Sequence, residues 1–361
     1  MIIKALQLKD FRNYENLDIG FSEKTNIFYG DNAQGKTNIL ESIFLMATTK
    51  SYRGAKEKEM IRHDSGESHI RIVMNKMGAD HRMDMHLKKN SPKGAAIDGI
   101  PIRRSSELYG MLHVISFSPE DLTLIKNGPS ERRRFMDMEL CQLDRVYFSN
   151  LASYGKALAQ RNNLLKQIDR DRLLAATIDI WNEQLVKYGT EIIKAREDFI
   201  SSLAPVLCKK HESISSGKEK LRIEYVKNTR EEEFLEKLEK SLDRDIYLKA
   251  TSYGPHKDDL AFFINDDNVR IYGSQGQQRT AALSLKLSEI ELVKKRIGDS
   301  PVLLLDDVLS ELDRNRQNSL LNEIKEVQTF ITCTGLEEFI ESRSSDNRIF
   351  HIEGGKVILG G

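Results

Sequence analysis

The chain has 361 residues, 39% of them hydrophobic and 30% charged, enough for a sizeable core and for two domains or one domain with a large insertion. Its 55 Lys and Arg balance 55 Asp and Glu, so any contact with nucleic acid has to come from local basic patches rather than a bulk basic field. No apolar run is long enough to cross a bilayer, MIIKALQLKDFRNY does not read as a secretory signal, and the distant cysteines Cys141, Cys208 and Cys333 lack a CxxC pair. These features predict a cytoplasmic protein with reduced thiols and no membrane partner.

In chain order, the alternation of IIKALQL predicts a strand over Ile2–Leu8, and NLDIGF and TNIFYG predict two more. A glycine-bounded loop follows, then a helix from near Gly35 through ILESIFLM. HIRIVMNKM and HRMDMHLKK alternate again, and AAIDGIPI reads as a hairpin whose Asp98-Gly99 turn takes positive φ. HVISFS is a further buried strand, and Pro119 opens a helix. From Pro129 to about Ser216 strand signals vanish. Two long stretches of helical periodicity flank IDRDR, which reads as a helix–helix turn; heptads do not persist, so a long coiled coil is disfavoured, and apolar residues such as Trp181 read as core. LRIEYV reads as a strand and EEEFLEKLEKSL as a polar helix. The head then resumes with DLAFFIND and NVRIYG, followed by a helix from about Gly276 to Arg296, the strand PVLLLDD, a helix near Asn315 to Val327 and the strand TFITCT. The expected organisation is an α/β head assembled from 1–128 and 250–361, with a mainly helical arm, 129–249, inserted into it.

Three segments carry chemistry. Gly30-Asp31-Asn32-Ala33-Gln34-Gly35-Lys36-Thr37 fits GxxxxGK[ST], with a strand before it and a helix after it. Such a loop turns backbone N–H groups onto a phosphate at the positive end of a helix; Lys36 would contact the β- and γ-phosphates and the Thr37 hydroxyl would ligand Mg²⁺. Pro301-Val-Leu-Leu-Leu-Asp306-Asp307 is a continuous apolar strand ending in two carboxylates, at the edge where ligands gather in parallel sheets. Asp306 would hold the Mg²⁺ shell, and Asp307 would orient or deprotonate the attacking water. Gly273-Ser274-Gln275-Gly276-Gln277-Gln278-Arg279 opens a helix and forms a second anion-binding nest through Ser274, Gly276 and Gln277. One phosphate tail needs one such loop, so a second implies a site shared between subunits.

With these motifs the chain resembles the ATP-binding-cassette ATPases, whose serine-glycine signature loop binds the γ-phosphate held by the opposite protomer; Ser310-Glu311-Leu312-Asp313 looks like that family's D-loop. LKDFRNY, GDNAQGKTNILE, KSYRG, FSPEDL, GPSERRRFMD, YGPHKDDL, GSQGQQRTAALSLKLSE and LLLDDVLSELD together are similar to the RecF family, bacterial recombination mediators related to the heads of Rad50 and SMC proteins. The resemblance implies an ABC-type ATPase head that dimerises with ATP and Mg²⁺. It further implies binding to double-stranded DNA and to single-strand/double-strand junctions, and cooperation with RecR and RecO in loading RecA. By the same resemblance Arg12 would touch the nucleotide phosphates.

Departures from a transporter ATPase point the same way. Asp307 stands where transporters use glutamate, one methylene longer, so slow hydrolysis is expected. FSPEDL lacks the Q-loop glutamine, for which Glu120 or Asp121 could stand in, and Thr332 and Thr334 fall where a switch histidine would follow the last strand. A hinge contact is the expected part for His256, and at least one of Arg132, Arg133 and Arg134 should turn back toward the head or another chain, since three in a row cannot share one helix face. Candidate DNA contacts are the basic runs Lys50, Arg53, Lys56, Lys58 and Arg62; Lys88, Lys89 and Lys93; and Arg103 and Arg104. The rivals are a transporter ATPase subunit, an SMC- or Rad50-like structural head, and a nucleotide-gated scaffold that does not hydrolyse.

Overall fold

The structure, a computed structural model, describes residues 1–168, 177–335 and 347–359. The expected turn at IDRDR lies, beyond Ile168, outside the described residues. In chain order the elements are β1 (Ile2–Phe11), β2 (Tyr14–Gly20), β3 (Thr25–Tyr29), α1 (Lys36–Thr48), α2 (Glu57–Met60), β4 (Glu67–Lys76), β5 (Ala79–Lys88), β6 (Gly94–Ile97), β7 (Ile100–Pro101) and β8 (Val114–Phe117). Next come α3 (Pro129–Leu143), α4 (Arg145–Ile168), α5 (Ile178–Ile214), β9 (Leu221–Val226), α6 (Phe234–Lys240), α7 (Leu242–Leu248), β10 (Asp259–Ile264), β11 (Asp267–Asn268) and α8 (Val269–Tyr272). Last are α9 (Gln275–Ile297), β12 (Val302–Asp306), α10 (Arg314–Glu323), β13 (Thr329–Cys333), β14 (Arg348–Glu353) and β15 (Lys356–Leu359). The chain divides into two compact units, Met1–Leu122 with Ala282–Gly361, and Thr123–Ala281.

The first unit contains two sheets. One has the order β15-β14-β3-β13-β12-β8 and is parallel except for its β14–β15 hairpin. Its strands are apolar on both faces, as parallel strands covered on two sides must be: Val302, Leu303, Leu304 and Leu305 are all buried. Phe28 stacks on Phe350 at 5.1 Å, and Phe21 stands edge-on to Phe330 at 4.8 Å. Helix α1 is hydrophobic nearly all round and buried from Ile39 to Thr48, each large apolar side chain contributing about 1.5–3 kcal/mol. The other sheet, β2-β1-β4-β5-β6-β7, is antiparallel throughout and alternates apolar-in, polar-out. Its β6–β7 hairpin has Asp98 and Gly99 at φ 53° and 82°, the left-handed pair a two-residue turn needs.

The second unit is helical around a small antiparallel sheet, β11-β10-β9. The run read from SERRRF to LLKQI is two helices, α3 and α4, broken at Asp144, whose extended backbone ends α3 and whose side chain receives the Val146 N–H. Helix α5 runs for 37 residues and carries Pro205 inside it. DLAFFIND, where the head was expected to resume, contains β10, which pairs with LRIEYV and so belongs with this unit. Within NVRIYG, Asn268 ends the two-residue β11 and its side chain accepts the Arg270 N–H, which starts the helical turn α8. Two arginines buried in this unit are held by polar partners. Arg161, fully buried, donates to Asn182, Asp245 and Thr251, and Arg196 donates to Asp137, Asp258 and the Pro255 carbonyl.

Candidate functional site

The loop after β3 is shaped by two glycines and braced by two distant segments. Gly30 has φ 146°, and a Cβ there would lie 2.3 Å from the Ile352 carbonyl oxygen. Gly35 has φ 116°, and its Cβ would lie 2.6 Å from the Asn13 side chain. Both positions are therefore closed to other residues by conformation and by space. Asn13 Nδ2 donates to the Gln34 carbonyl (2.8 Å) and Tyr14 Oη to the Gly35 carbonyl (3.1 Å). From the β14–β15 turn, the N–H groups of Gly354 and Gly355 donate to Gln34 Oε1 and to its carbonyl. Asp31, Asn32 and Ala33 form the exposed crest, Ala33 at φ 64°. Lys36 is 4% exposed, and its ammonium donates to the carbonyls of Gly30 and Asp31 at 2.8 Å each. Helix α1 starts there without a side-chain cap, which leaves its first N–H groups available to an anion.

Beside the loop stand the two aspartates at the end of β12. Thr37 Oγ1 donates to Asp306 Oδ1 at 2.9 Å, so the two predicted metal ligands meet across 269 residues of sequence. The Thr332 hydroxyl also donates to Asp306 Oδ1 (2.9 Å) and receives the Asp307 N–H (2.8 Å). Thr332 thus ties the two aspartates together from the neighbouring strand, at the place where a switch histidine was sought. Tyr52 Oη donates to Asp306 Oδ2 at 2.7 Å, and burial, reinforced by the Asp306 charge, pushes its phenol far up, so the proton stays on the tyrosine. Asp307 sits in the left-handed region at φ 51°, its Oδ1 buried with no hydrogen-bond partner among the described residues. Burial first, and the Asp306 charge second, raise its carboxyl above the ordinary range, while Lys36 opposes.

The remaining candidates are placed differently. Arg12 makes a bidentate pair with buried Glu41, both contacts at 2.8 Å, and gives its third group to the Glu59 carbonyl; Ser51 also donates to Glu41. Ser274 precedes α9 in a reciprocal cap: its Oγ accepts the Gln277 N–H (3.2 Å) and its own N–H donates to Gln277 Oε1 (2.9 Å). The Gly276 carbonyl accepts the Thr280 hydroxyl. Asp313 caps α10 by accepting the Asn315 and Arg316 N–H groups. Of the pair proposed for the Q-loop role, Asp121 closes its own turn on Ser118 and meets Lys286 at 3.6 Å, while Glu120 is exposed. Arg132 is buried on Asp259 and three carbonyls, Arg133 reaches the Asp258 carbonyl, and Arg134 is exposed. His256 receives the Tyr154 hydroxyl on Nδ1 and donates from Nε2 to the Thr251 carbonyl.

Tyr52 and Glu41 have no sequence signal for the contacts they make, and Asn13, in the loop beside Arg12, has none for its hold on Gln34. KSYRG is one of the RecF-like segments, yet nothing in its spacing announces a tyrosine aimed at Asp306, a contact made 254 residues away. The donor set suits a nucleoside triphosphate with Mg²⁺. Two glycines keep side chains out of the loop, an ammonium lies at its centre, a hydroxyl and a carboxylate stand together, and one buried carboxylate oxygen has no partner. Gly30 to Thr37 could hold the phosphates and Thr37 with Asp306 the metal.

The model of the RecF/RecN/SMC N terminal domain matches residues 2–357. The DNA replication and repair protein RecF of Lachnoclostridium phytofermentans is 59% identical over 360 residues, spanning 100% of both chains. A solved structure of the recombination mediator protein RecF-ATP in the RecFOR pathway is 35% identical, covers 99% of this chain and 97% of its own, and superimposes with a TM-score of 0.90. An SMC head domain from Pyrococcus furiosus, 15% identical, covers 99% of this chain and 96% of its own with a TM-score of 0.56, a likeness of fold alone. On sequence along its whole length and on the α/β head fold, the chain belongs to the RecF family.

Proposed function

We propose that the protein is an ATP-gated, DNA-binding recombination mediator that dimerises on ATP and releases DNA by slow hydrolysis. The observation that carries this reading is the meeting of Thr37 with Asp306 beside a loop closed around the Lys36 ammonium. Phosphate oxygens would take the place of the two loop carbonyls on Lys36, and the N–H groups at the start of α1 would add to the grip. Bound Mg²⁺ would supply charge neutralisation at the phosphates, held through Thr37 and Asp306. Asp307, its oxygen unpaired and its carboxyl raised, would orient a water and take its proton. Ser274 uses its oxygen as an acceptor in the cap, so its own O–H remains to donate to the γ-phosphate bound by the partner protomer. ATP binding would then shift a monomer–dimer equilibrium, with hydrolysis as the reset.

The DNA would lie along exposed basic segments of the first unit. Lys93 pairs with Glu57 and donates to the Thr49 carbonyl, and Lys89 donates to the His63 carbonyl, which draws the segment around Lys88–Lys93 onto the one running from Lys50 to Arg62. Lys50, Arg53, Lys56, Lys58, Lys88, Arg103 and Arg104 remain exposed there. Such contacts serve phosphates and not base edges, so binding to double-stranded DNA and junctions would be sequence-tolerant and salt-sensitive. RecR and RecO would be its partners, in support of RecA, in the cytoplasm; no helix among the described residues is long and apolar enough to cross a membrane. The test is sedimentation and DNA binding with ATP and Mg²⁺, ADP, or no nucleotide, across a salt series. ATP should raise both dimer and DNA-bound fractions, and Lys36→Met and Ser274→Arg should each abolish the rise. Variants that dimerise and hold DNA as the wild type does would overturn the proposal.

A further inference from the structure

The outer face of the antiparallel sheet carries a second group of ligand-type side chains. Alternation sends Ser68, Ile70 and Ile72 inward along β4 and leaves Glu67, His69 and Arg71 facing out; along β5, Met85 and Leu87 face in and His86 out. The register sets His69 directly opposite His86. Their imidazoles lie face to face, centroids 3.9 Å apart and planes 21° apart. Glu67, two residues before His69 on the same face, places one carboxylate oxygen 2.9 Å from His86 Nε2 and the other 3.7 Å from His69 Nε2. The three ligand atoms all lie within 4.8 Å of one another. Across β6, His86 faces Gly94, and nothing stands within 4 Å of where a side chain would begin. The histidines therefore open onto a groove of about 740 Å³ along the sheet face.

Two imidazoles and a carboxylate converging on one point form a set that Zn²⁺ accepts with a fourth position left to water or an exchangeable ligand. Nitrogen donors favour such an ion over Mg²⁺ or Ca²⁺, which take oxygen shells. The ligands need to close to about 2.0–2.2 Å from a common centre, and these side chains, 28–57% exposed, are free to rotate by that amount. Lys9 lies opposite His69 on β1 and opposes a cation, which makes the site one of modest affinity and ready exchange. We propose that Glu67, His69 and His86 bind a zinc-type divalent transition-metal ion on the outer face of the antiparallel sheet, its open coordination position turned to the groove. Such an ion would clip β4 to β5 and give the face a fixed positive charge able to take an anionic group. This inference does not rest on the nucleotide site.

The experiment is titration of chelator-stripped, desalted full-length protein with Zn²⁺ against a chromogenic indicator, repeated with Co²⁺ by visible absorption. The wild type should bind one equivalent that is weakened at least tenfold in His69→Gln, in His86→Ala and in Glu67→Gln. The Co²⁺ adduct should show d–d bands without a thiolate charge-transfer band, which excludes the cysteines. Metal held at Thr37 and Asp306 or elsewhere would persist in these variants, so the difference between wild type and variant is the readout. Absence of the equivalent in wild type would overturn the proposal, as would equal binding by a folded His69→Gln/His86→Ala protein.

Discussion

Acid should loosen the second unit through His256. Its Nε2–H donates to the Thr251 carbonyl and its Nδ1 accepts the Tyr154 hydroxyl, so the ring is held neutral with both nitrogens in use. Burial, aided by the charges of Lys257, Arg133 and Arg161, lowers its pKa to about 4, against about 6.5 in an unfolded chain. A histidine depressed in the folded state contributes its full stability above the unfolded pKa and loses it as pH falls through the folded one. From pH 7 to pH 5 the unfolded chain takes up about three-quarters of a proton here and the folded chain almost none, a loss of about 2 kcal/mol; below pH 4 the loss levels at about 3 kcal/mol. Trp181 is the chain's single tryptophan and lies on α5 in the same unit, so its fluorescence in a urea titration isolates this transition. The wild type should lose about 2 kcal/mol more between pH 7 and pH 5 than His256→Gln, which lacks the titrating group but can still donate to Thr251. Other histidines are shared by both proteins and cancel in that difference. Equal pH dependence in the two proteins would refute the reasoning.

Tyr52→Phe keeps the ring against Phe44, packed edge-on at 5.2 Å, and removes only the donor to Asp306. Hydrogen bonds to charged groups contribute about 1.5–3 kcal/mol, so single-turnover ATP hydrolysis should fall by about tenfold or more while nucleotide affinity, measured by titration, changes little. Arg161→Met leaves Asp245 buried without its guanidinium and frees Asn182 and Thr251. The second unit should lose about 3–5 kcal/mol, read from the same Trp181 transition.

The phosphate loop was legible because it is local: strand, loop and helix follow one another, and Gly30 and Gly35 are dictated by backbone conformation. The two aspartates were legible for a related reason, since a short continuous apolar run suits a strand covered on both faces, and they close it at its C-terminal end. Partnership between distant segments was not legible. The alternation of DLAFFIND announces a strand but not that its neighbour is LRIEYV, and a short run such as NVRIYG is open to an asparagine cap that turns it helical. Tyr52 carries no signal for the same reason, and Thr332 is legible only as a residue standing in a histidine's place, because a side chain that orients another residue need satisfy no periodicity of its own. Ser274 shows the converse: the SxxQ spacing of a reciprocal cap is local, and it overlaps the motif read as an anion nest.

The strand that leads into the phosphate loop has a consequence for how the protein is made. β3 lies between β13 and β14, and its Thr25 pairs with Thr329. On a ribosome adding about 5–20 residues per second, the segment bearing the loop emerges some 15–60 s before either flanking strand exists. During that interval the nascent chain cannot build a nucleotide pocket, and its apolar edges need shelter from chaperones or from their own early collapse. On the proposed function, competence to bind nucleotide would therefore arrive late in translation, and a message cut short before β13 would yield a polypeptide in which β3 lacks both flanking strands.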